Sequence, residues 1–108
     1  MHEIADTAFD TEVLASSRPV LVDFWAPWCV KCKAMAPAIA QLASDHAEEL
    51  QVVTMDVEQS PATAARLGVI SLPALKLFVG GRVVKSWSGA MPGRTLEAEV
   101  AAALAAAG

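Results

Sequence analysis

The sequence predicts an α/β fold in which a central mixed β-sheet is flanked by helices on both faces. Three observations support this prediction: apolar β-rich runs alternate with helical patterns, a glycine pair joins two of those runs, and the chain ends in an alanine-rich segment. A chain of 108 residues buries roughly 65% of its unfolded surface in one core. Since no internal repeat or linker-like segment interrupts it, we expect a single domain spanning residues 1–108.

In the first half of the chain the predicted order is helix, strand, helix, strand. A first helix is expected at residues 11–15, with Asp10 as its cap. The run Val20–Trp25 is apolar and β-branched on both faces, which is typical of a central strand covered on both sides. A helical spacing of apolar residues follows at about 29–46, and residues 52–57 are predicted as the next strand.

The sequence of the second half of the chain predicts a short helix, a hairpin and a final helix. Ser60 and the proline after it open the short helix, Ser60 as the N-cap. Two β-rich runs, 75–79 and 83–87, flank the glycine pair 80–81, which is a strong hairpin signal. Residues 96–106 are predicted as the last helix because alanine has the highest helix propensity.

Composition narrows the class of protein. The net charge of −4 argues against a nucleic-acid binder, which is normally basic. No run of 18 apolar residues suggests a membrane span, and the acidic start does not resemble a signal peptide. Two cysteines are too few for a disulfide scaffold, so a chemical role is favoured. We therefore expect a cytoplasmic monomer with no nucleic-acid or membrane partner.

The two cysteines, Cys29 and Cys32, stand where strand 20–25 ends and a helix begins. Two thiols at the C-x-x-C spacing can close a small disulfide ring within one helical turn. The unpaired N–H groups and the dipole of a helix N-terminus stabilise a thiolate. The alternative is a zinc or iron–sulfur site, which takes about four ligands. Only His2 and His46 remain to complete one, so reversible dithiol/disulfide chemistry without a metal or other cofactor is favoured.

Asp23 is a carboxylate inside this apolar strand. Burial without a positive partner raises the pKa of a carboxyl group, and a raised pKa suits proton exchange near neutral pH. The alternative is a buried polar group satisfied by the backbone or by water.

An ordered set of short motifs resembles the thioredoxin family over nearly the whole length of the chain. The motifs are Phe9-Asp10, Val22-Asp23-Phe24-Trp25-Ala26, Trp28-Cys29-x-x-Cys32-Lys33, Ala36-Pro37, Leu72-Pro73, Gly80-Gly81 and Gly89-Ala90. A lone C-x-x-C would be weak evidence, whereas this ordered set is very specific. The resemblance implies the thioredoxin fold and a thiol–disulfide oxidoreductase that reduces protein disulfides.

The resemblance also implies roles for three residues of the site. Cys29, expected to be the more exposed thiol, would be the nucleophile that attacks the substrate disulfide. Cys32, one helical turn deeper, would resolve the mixed disulfide and release the reduced substrate. Asp23 would lie behind the disulfide and assist deprotonation of Cys32.

The residues implied to contact substrate surround the cysteines: Trp28, Val30, Lys31, Leu72, Pro73, Gly89 and Ala90. Trp28 would form one wall of the site. In the family the proline at the position of Pro73 is cis and faces the disulfide, so that the backbone of Leu72 can pair with an extended substrate as an added strand does. Gly89 and Ala90 are small and would leave room for the same peptide.

Two positions depart from the family. Thioredoxins often place a lysine on the strand beside the buried aspartate, where this chain has Thr54, so the pKa of Asp23 is expected to be higher still. Between the cysteines the family usually has Gly-Pro, and this chain has Val30-Lys31. That pair tunes the reduction potential because it changes how well the reduced thiolate is stabilised.

The leading hypothesis is a general protein-disulfide reductase that acts on disulfide-containing proteins and is recharged by a flavoenzyme resembling thioredoxin reductase. One alternative is a more oxidising disulfide oxidase or isomerase, although such work belongs in oxidising compartments and the N-terminus does not resemble a signal peptide. The other is a non-catalytic interaction subunit whose partner uses the surface around Trp28 and Leu72. The presence of both cysteines weighs against that alternative.

Overall fold

A computed structural model describes residues 1–108 and contains one five-stranded sheet. Its strands are β1 (His2–Glu3), β2 (Val20–Trp25), β3 (Gln51–Asp56), β4 (Ala74–Val79) and β5 (Arg82–Ser88). Across the sheet the order is β1-β3-β2-β4-β5. The first three strands are mutually parallel, β4 is antiparallel to β2, and β5 is antiparallel to β4. The predicted mixed sheet and hairpin are thus confirmed, whereas β1 was not predicted.

Three α-helices, α1 (Val30–Asp45), α2 (Pro61–Arg66) and α3 (Gly93–Ala107), cover the two faces of the sheet. One apolar cluster joins the sheet to α1 and α3, with Leu21, Ile39 and Leu96 among its members. A second cluster on the opposite face includes Phe24 of the sheet and Ala64 of α2. The predicted flanking of the sheet by helices on both faces is therefore confirmed. No helix is both long and apolar enough to cross a bilayer.

The prediction of a first helix at residues 11–15 is wrong about the type of helix. The segment before β2 consists of a 3₁₀ turn, Asp6–Ala8, and a π-helical turn, Asp10–Leu14. Asp10 does not cap it, because Phe9 takes the N-cap position and no side chain caps the turn. Phe9 and Val13 are both buried in the core, and burying both side chains outweighs the local capping preference of Asp10.

The N-terminus of α2 is capped from a distant part of the chain. Ser60 stands at the predicted N-cap position, but its hydroxyl makes no capping bond to the helix. Instead the Asp6 carboxylate accepts hydrogen bonds from the backbone N–H groups of Ala62 (3.0 Å) and Thr63 (2.8 Å). Desolvation raises the pKa of Asp6, but the hydrogen bonds from Thr63 and Ala62 outweigh it and leave that pKa below its ordinary value.

The last helix begins at Gly93, three residues before the predicted start. A Cβ atom at this position would lie 2.9 Å from the Cβ of Ala38 on α1. Such a distance is shorter than carbon–carbon van der Waals contact. Glycine therefore allows the start of α3 to approach α1 closely, which tertiary packing requires and helix propensity alone does not predict.

Candidate active site

The cysteine pair lies at the N-terminus of α1, as predicted. Cys29 and Cys32 are joined by a disulfide, so the structure shows the oxidised state. Cys29 occupies the N-cap position, and its sulfur accepts a hydrogen bond from the backbone N–H of Cys32 at 3.2 Å. A helix N-terminus that donates to this sulfur stabilises negative charge on it. The arrangement favours Cys29 over Cys32 as the thiolate after reduction.

Exposure does not distinguish the two cysteines, contrary to the prediction that Cys29 is the more exposed thiol. The whole-residue exposures are 6% for Cys29 and 5% for Cys32. The side chains of Trp25, Val57 and Leu72 pack against the buried cluster that Ala26 forms with the two cysteines. The N-cap position of Cys29 is therefore the feature that distinguishes them.

Asp23 lies in the middle of β2 with only 6% of its surface exposed. Its partner on β3 is Thr54, at the position where the family often has a lysine. No group of the chain forms a hydrogen bond with its Oδ1 atom, which is buried. Desolvation raises the pKa of Asp23 to about 7, with a further contribution from the negative charge of Glu3. The carboxyl group can thus gain or lose a proton near neutral pH.

Glu3, which the sequence reasoning missed, reaches from β1 across β3. Its Oε1 atom accepts hydrogen bonds from the indole N–H of Trp25 (2.9 Å) and from the hydroxyl of Thr54 (2.6 Å). Its Oε2 atom accepts from the backbone N–H of Asp56 at 2.7 Å. No pattern in the sequence indicates this role, because a strand of two exposed residues has neither periodicity nor a hydrophobic run.

Trp28 projects from the loop before α1 with 64% of its surface exposed. Its indole N–H donates a hydrogen bond of 2.7 Å to the carboxylate of Glu58, just beyond β3. Val30 is 79% exposed, and Lys31 beside it is also exposed. Glu58, another residue that the sequence reasoning missed, therefore holds the orientation of an apolar side chain at the edge of the site.

Leu72, Pro73 and Gly89 lie together. Leu72 packs against the cluster of Ala26, Cys29 and Cys32, and the peptide bond between Leu72 and Pro73 is cis, as the resemblance implied. The backbone N–H of Gly89 donates to the carbonyl of Pro73 at 2.9 Å, and Gly89 has a φ of +85° that favours glycine. The backbone N–H and carbonyl of Leu72 form no hydrogen bond within the chain. Ala90 follows at an exposed position.

A shallow groove of about 280 Å³ opens between Trp28 and the segment leading to Pro73. Its lining is mostly apolar: Trp28, Val57, Ala64, Val69, Ile70, Ser71 and Leu72. Ile70 is 97% exposed and was not among the predicted site residues. The available signal was an apolar Val69-Ile70 pair in a stretch without helical or strand periodicity. Three apolar residues around the site are exposed: Trp28 and Ile70, which line this groove, and Val30, which follows Cys29 in the chain.

Both histidines are engaged away from the cysteines. His2 forms a 2.8 Å contact with Glu12, and His46 contacts Glu49 at 2.6 Å and Glu97 at 2.7 Å. No group of three or more His, Cys, Asp or Glu side chains is arranged to hold a metal ion.

Comparison with known proteins identifies the family. The family model described as Thioredoxin matches residues 1–102. A thioredoxin of Streptomyces clavuligerus is 42% identical over 92 residues, which cover 85% of each chain. A thioredoxin of Mycobacterium tuberculosis is 46% identical over 88 residues, covering 82% of this chain and 76% of the relative. A thioredoxin of Griffithsia pacifica is 42% identical over 96 residues, covering 89% and 88%. The chain therefore belongs to the thioredoxin family, and with its Cys29–Cys32 pair it is a thiol–disulfide oxidoreductase that reduces protein disulfides.

Proposed function

We propose that the protein reduces disulfides by dithiol exchange in which Cys29 is the attacking nucleophile and Cys32 the resolving thiol. The observation that carries this assignment is the position of Cys29 at the N-cap of α1, where its sulfur accepts the backbone N–H of Cys32. In the reduced protein the same N–H group and the helix dipole would stabilise a thiolate at Cys29. Because the thiolate is the nucleophile in disulfide exchange, the first attack starts there.

The exchange then takes two steps. The Cys29 thiolate attacks one sulfur of the substrate disulfide, forming a mixed disulfide and releasing the first substrate sulfur as a thiolate. Cys32 next loses its proton and attacks the Cys29 sulfur, which closes the Cys29–Cys32 disulfide and displaces the second substrate thiolate. Two electrons thus pass from the cysteine pair to the substrate, and the oxidised product has the disulfide found in this structure.

Asp23 is proposed as the acceptor of the Cys32 proton. Its carboxyl group is on the face of β2 shared with Trp25, which packs against the cluster of Ala26, Cys29 and Cys32. The pKa of about 7, raised chiefly by desolvation, leaves part of the population ready to accept a proton at neutral pH. An ordinary, solvated carboxyl group would be too weak a base for the same task.

The substrate peptide is proposed to bind across the exposed apolar surface and the Leu72 backbone. The unpaired N–H and carbonyl of Leu72 can bond to an extended chain, as an added β-strand does. Trp28, Val30 and Ile70 offer apolar contact on one side. Lys31, Pro73, Gly89 and Ala90 complete the proposed contact surface.

We also propose a domain organisation, an oligomeric state, a location and an electron donor for the protein. We infer that the chain acts as one domain and as a monomer, supported by a single sheet whose two faces are both covered by its own helices. We infer a cytoplasmic location, because disulfide reduction belongs where thiols are kept reduced and the chain has no cysteine besides the redox pair. Electrons would come from a flavoenzyme resembling thioredoxin reductase, with no cofactor bound to this chain.

A turnover assay tests the proposal. The wild-type protein should accelerate the reduction of insulin disulfides by dithiothreitol. The matched control is the double variant Cys29→Ser with Cys32→Ser, which keeps the polarity of both side chains but has no thiol. A wild-type rate no greater than that of the control would overturn the proposal and favour a non-catalytic interaction subunit.

One observation favours the second candidate, a more oxidising disulfide oxidase or isomerase. Val30 and Lys31 stand between the cysteines, and the exposed Lys31 brings a positive charge near the sulfur that becomes the thiolate. A cation there stabilises the reduced form and makes the protein a better oxidant. The reduction potential measured against glutathione discriminates between the two directions of electron flow.

A further inference from the structure

Five side chains form one row across the whole sheet. From edge to edge the row is Glu3, Thr54, Asp23, Leu75 and Trp87. Paired residues of neighbouring strands project to the same face of a sheet. Glu3 and Asp23 therefore lie on one face, with only Thr54 between them.

Three hydrogen bonds hold the Glu3 carboxylate in place on this row. Thr54 and the backbone N–H of Asp56 donate to it from β3, and the indole N–H of Trp25 donates from β2. The indole N–H of Trp25, a residue of β2, meets the carboxylate over β3, so the carboxylate lies on the side of β1 that faces β3 and β2. Although Glu3 is an exposed residue, its charge is thus fixed on the Asp23 side of the row.

We propose that Glu3 is a positioning residue for disulfide exchange: its fixed negative charge raises the pH at which Asp23 exchanges a proton with Cys32. The same carboxylate anchors Trp25, which packs against the cluster of Ala26, Cys29 and Cys32. The proposal rests on the proposed function, in which Asp23 accepts the Cys32 proton.

Several other charged groups stand on elements that pack around Asp23. The charged residues on the same face of the sheet or on the helices covering it are Asp56 on β3, Arg82 and Lys85 on β5, Lys31, Lys33 and Asp45 on α1, and Arg94, Glu97 and Glu99 on α3. The Asp56 carboxylate accepts the backbone N–H of Glu58, and Glu99 accepts the indole N–H of Trp87. Burial is the main cause of the raised pKa of Asp23, and the charge that adds to it is that of Glu3.

The neutral side chain of Thr54 matters for the sign of the electrostatic effect on Asp23. Where thioredoxins often have a lysine beside the buried aspartate, this chain has a neutral hydroxyl that donates to a carboxylate. A nearby cation would favour the charged form of Asp23, whereas a nearby anion favours the protonated form. Two strand spacings separate Glu3 from Asp23 by roughly 10 Å between Cα atoms. Removing the charge should shift the titration of Asp23 downward by about half to one pH unit.

The test compares Glu3→Gln, Glu3→Asp and Glu12→Gln with the wild-type protein. Gln keeps the shape of Glu3 without its charge, and Asp keeps the charge on a shorter side chain. Glu12→Gln is the matched control, because Glu12 contacts His2, the other residue of β1, and not the row that contains Asp23. Two quantities are measured: the titration of the Asp23 carboxyl carbon by ¹³C NMR in the oxidised protein, and the pH profile of insulin reduction.

The expected result is a downward shift of both the Asp23 titration and the turnover profile in Glu3→Gln, with little change in Glu3→Asp or Glu12→Gln. An unchanged Asp23 titration in Glu3→Gln would overturn the inference, whatever the turnover. Equal shifts in Glu3→Asp and Glu3→Gln would also overturn it, because docking of β1 and not the charge would then be responsible. A shifted titration with an unmoved turnover profile would overturn the catalytic part and trace the failure to the proposed role of Asp23.

Discussion

Replacement of Asp23 by asparagine should stabilise the protein in a pH-dependent way. In the folded protein, desolvation and the charge of Glu3 raise the pKa of Asp23 from 3.8 to about 7. Between these two values the folded state binds more protons than the unfolded state, so this carboxyl group lowers stability as the pH rises. Above pH 7 the full penalty for burying the charge is present, and asparagine has no charge to bury.

The magnitude follows from the size of this shift. A change from 3.8 to about 7 is about three pH units, and at about 1.4 kcal/mol per unit it corresponds to roughly 4 kcal/mol. Asp23→Asn loses no hydrogen bond at Oδ1, which has no partner in the chain, and the N–H donors of its amide add a cost that does not vary with pH. The stability of Asp23→Asn relative to the wild type should therefore rise by up to roughly 4 kcal/mol between pH 4 and pH 8.

Urea denaturation of the oxidised proteins between pH 4 and 9 measures this difference. Asp45→Asn is the matched control, because Asp45 is an exposed aspartate on α1 that accepts a hydrogen bond from Gln41. It should show no comparable gain as the pH rises. A stability difference for Asp23→Asn that does not vary with pH would refute the reasoning. The same variant should turn over more slowly near neutral pH, and a less stable but fully active variant would show that Asp23 is structural.

Two further predictions concern the potential and the cap of α2. Val30→Gly combined with Lys31→Pro should make the reduction potential more negative by tens of millivolts in a titration against glutathione, because a cation near the Cys29 thiolate is lost; an unchanged or less negative value would contradict this. Asp6→Ala should lower the free energy of unfolding by about 1 kcal/mol at pH 7. That loss should shrink in acid, because the pKa of Asp6 is lowered and the stability it supplies disappears as the pH falls through that value. Asp10→Ala, which removes only an exposed ion pair with Arg66, should cost less than about 0.5 kcal/mol, and equal losses would argue against the Asp6 cap.

The sheet was largely predictable because its central strands are signalled locally. Val20–Trp25 is apolar on both faces apart from Asp23, and Gly80 and Gly81 both have positive φ, as the hairpin turn requires. β1 could not be predicted, because its two exposed residues become a strand only by pairing with β3. The cap of α2 was missed for a similar reason: Ser60 satisfies the local rule, but the capping carboxylate of Asp6 comes from the other end of the chain.

The residues of the site also fall into two groups, those that local sequence indicates and those that it does not. The two cysteines, Asp23 and Trp28 were found because strand, turn and helix follow one another within ten residues of sequence. Glu3, Glu58 and Ile70 were missed because each joins the site through tertiary contact and has no distinguishing local pattern. Burial of Cys29 was also not predictable, since the side chains that pack against its cluster come from three separate segments. Local sequence patterns thus point to the groups proposed to react, while the groups proposed to orient and tune them become visible only in the fold.

Trapping the mixed disulfide tests the central claim most directly. Cys32→Ser and Cys29→Ser proteins are each reduced, freed of reductant and mixed with oxidised insulin, and covalent adducts are identified by intact mass and by the cysteine that carries them. We predict that Cys32→Ser accumulates an adduct through Cys29, because attack precedes resolution and the helix N-terminus activates that sulfur. Cys29→Ser should accumulate none. An adduct through Cys32 in Cys29→Ser, with none in Cys32→Ser, would contradict the assignment of the nucleophile.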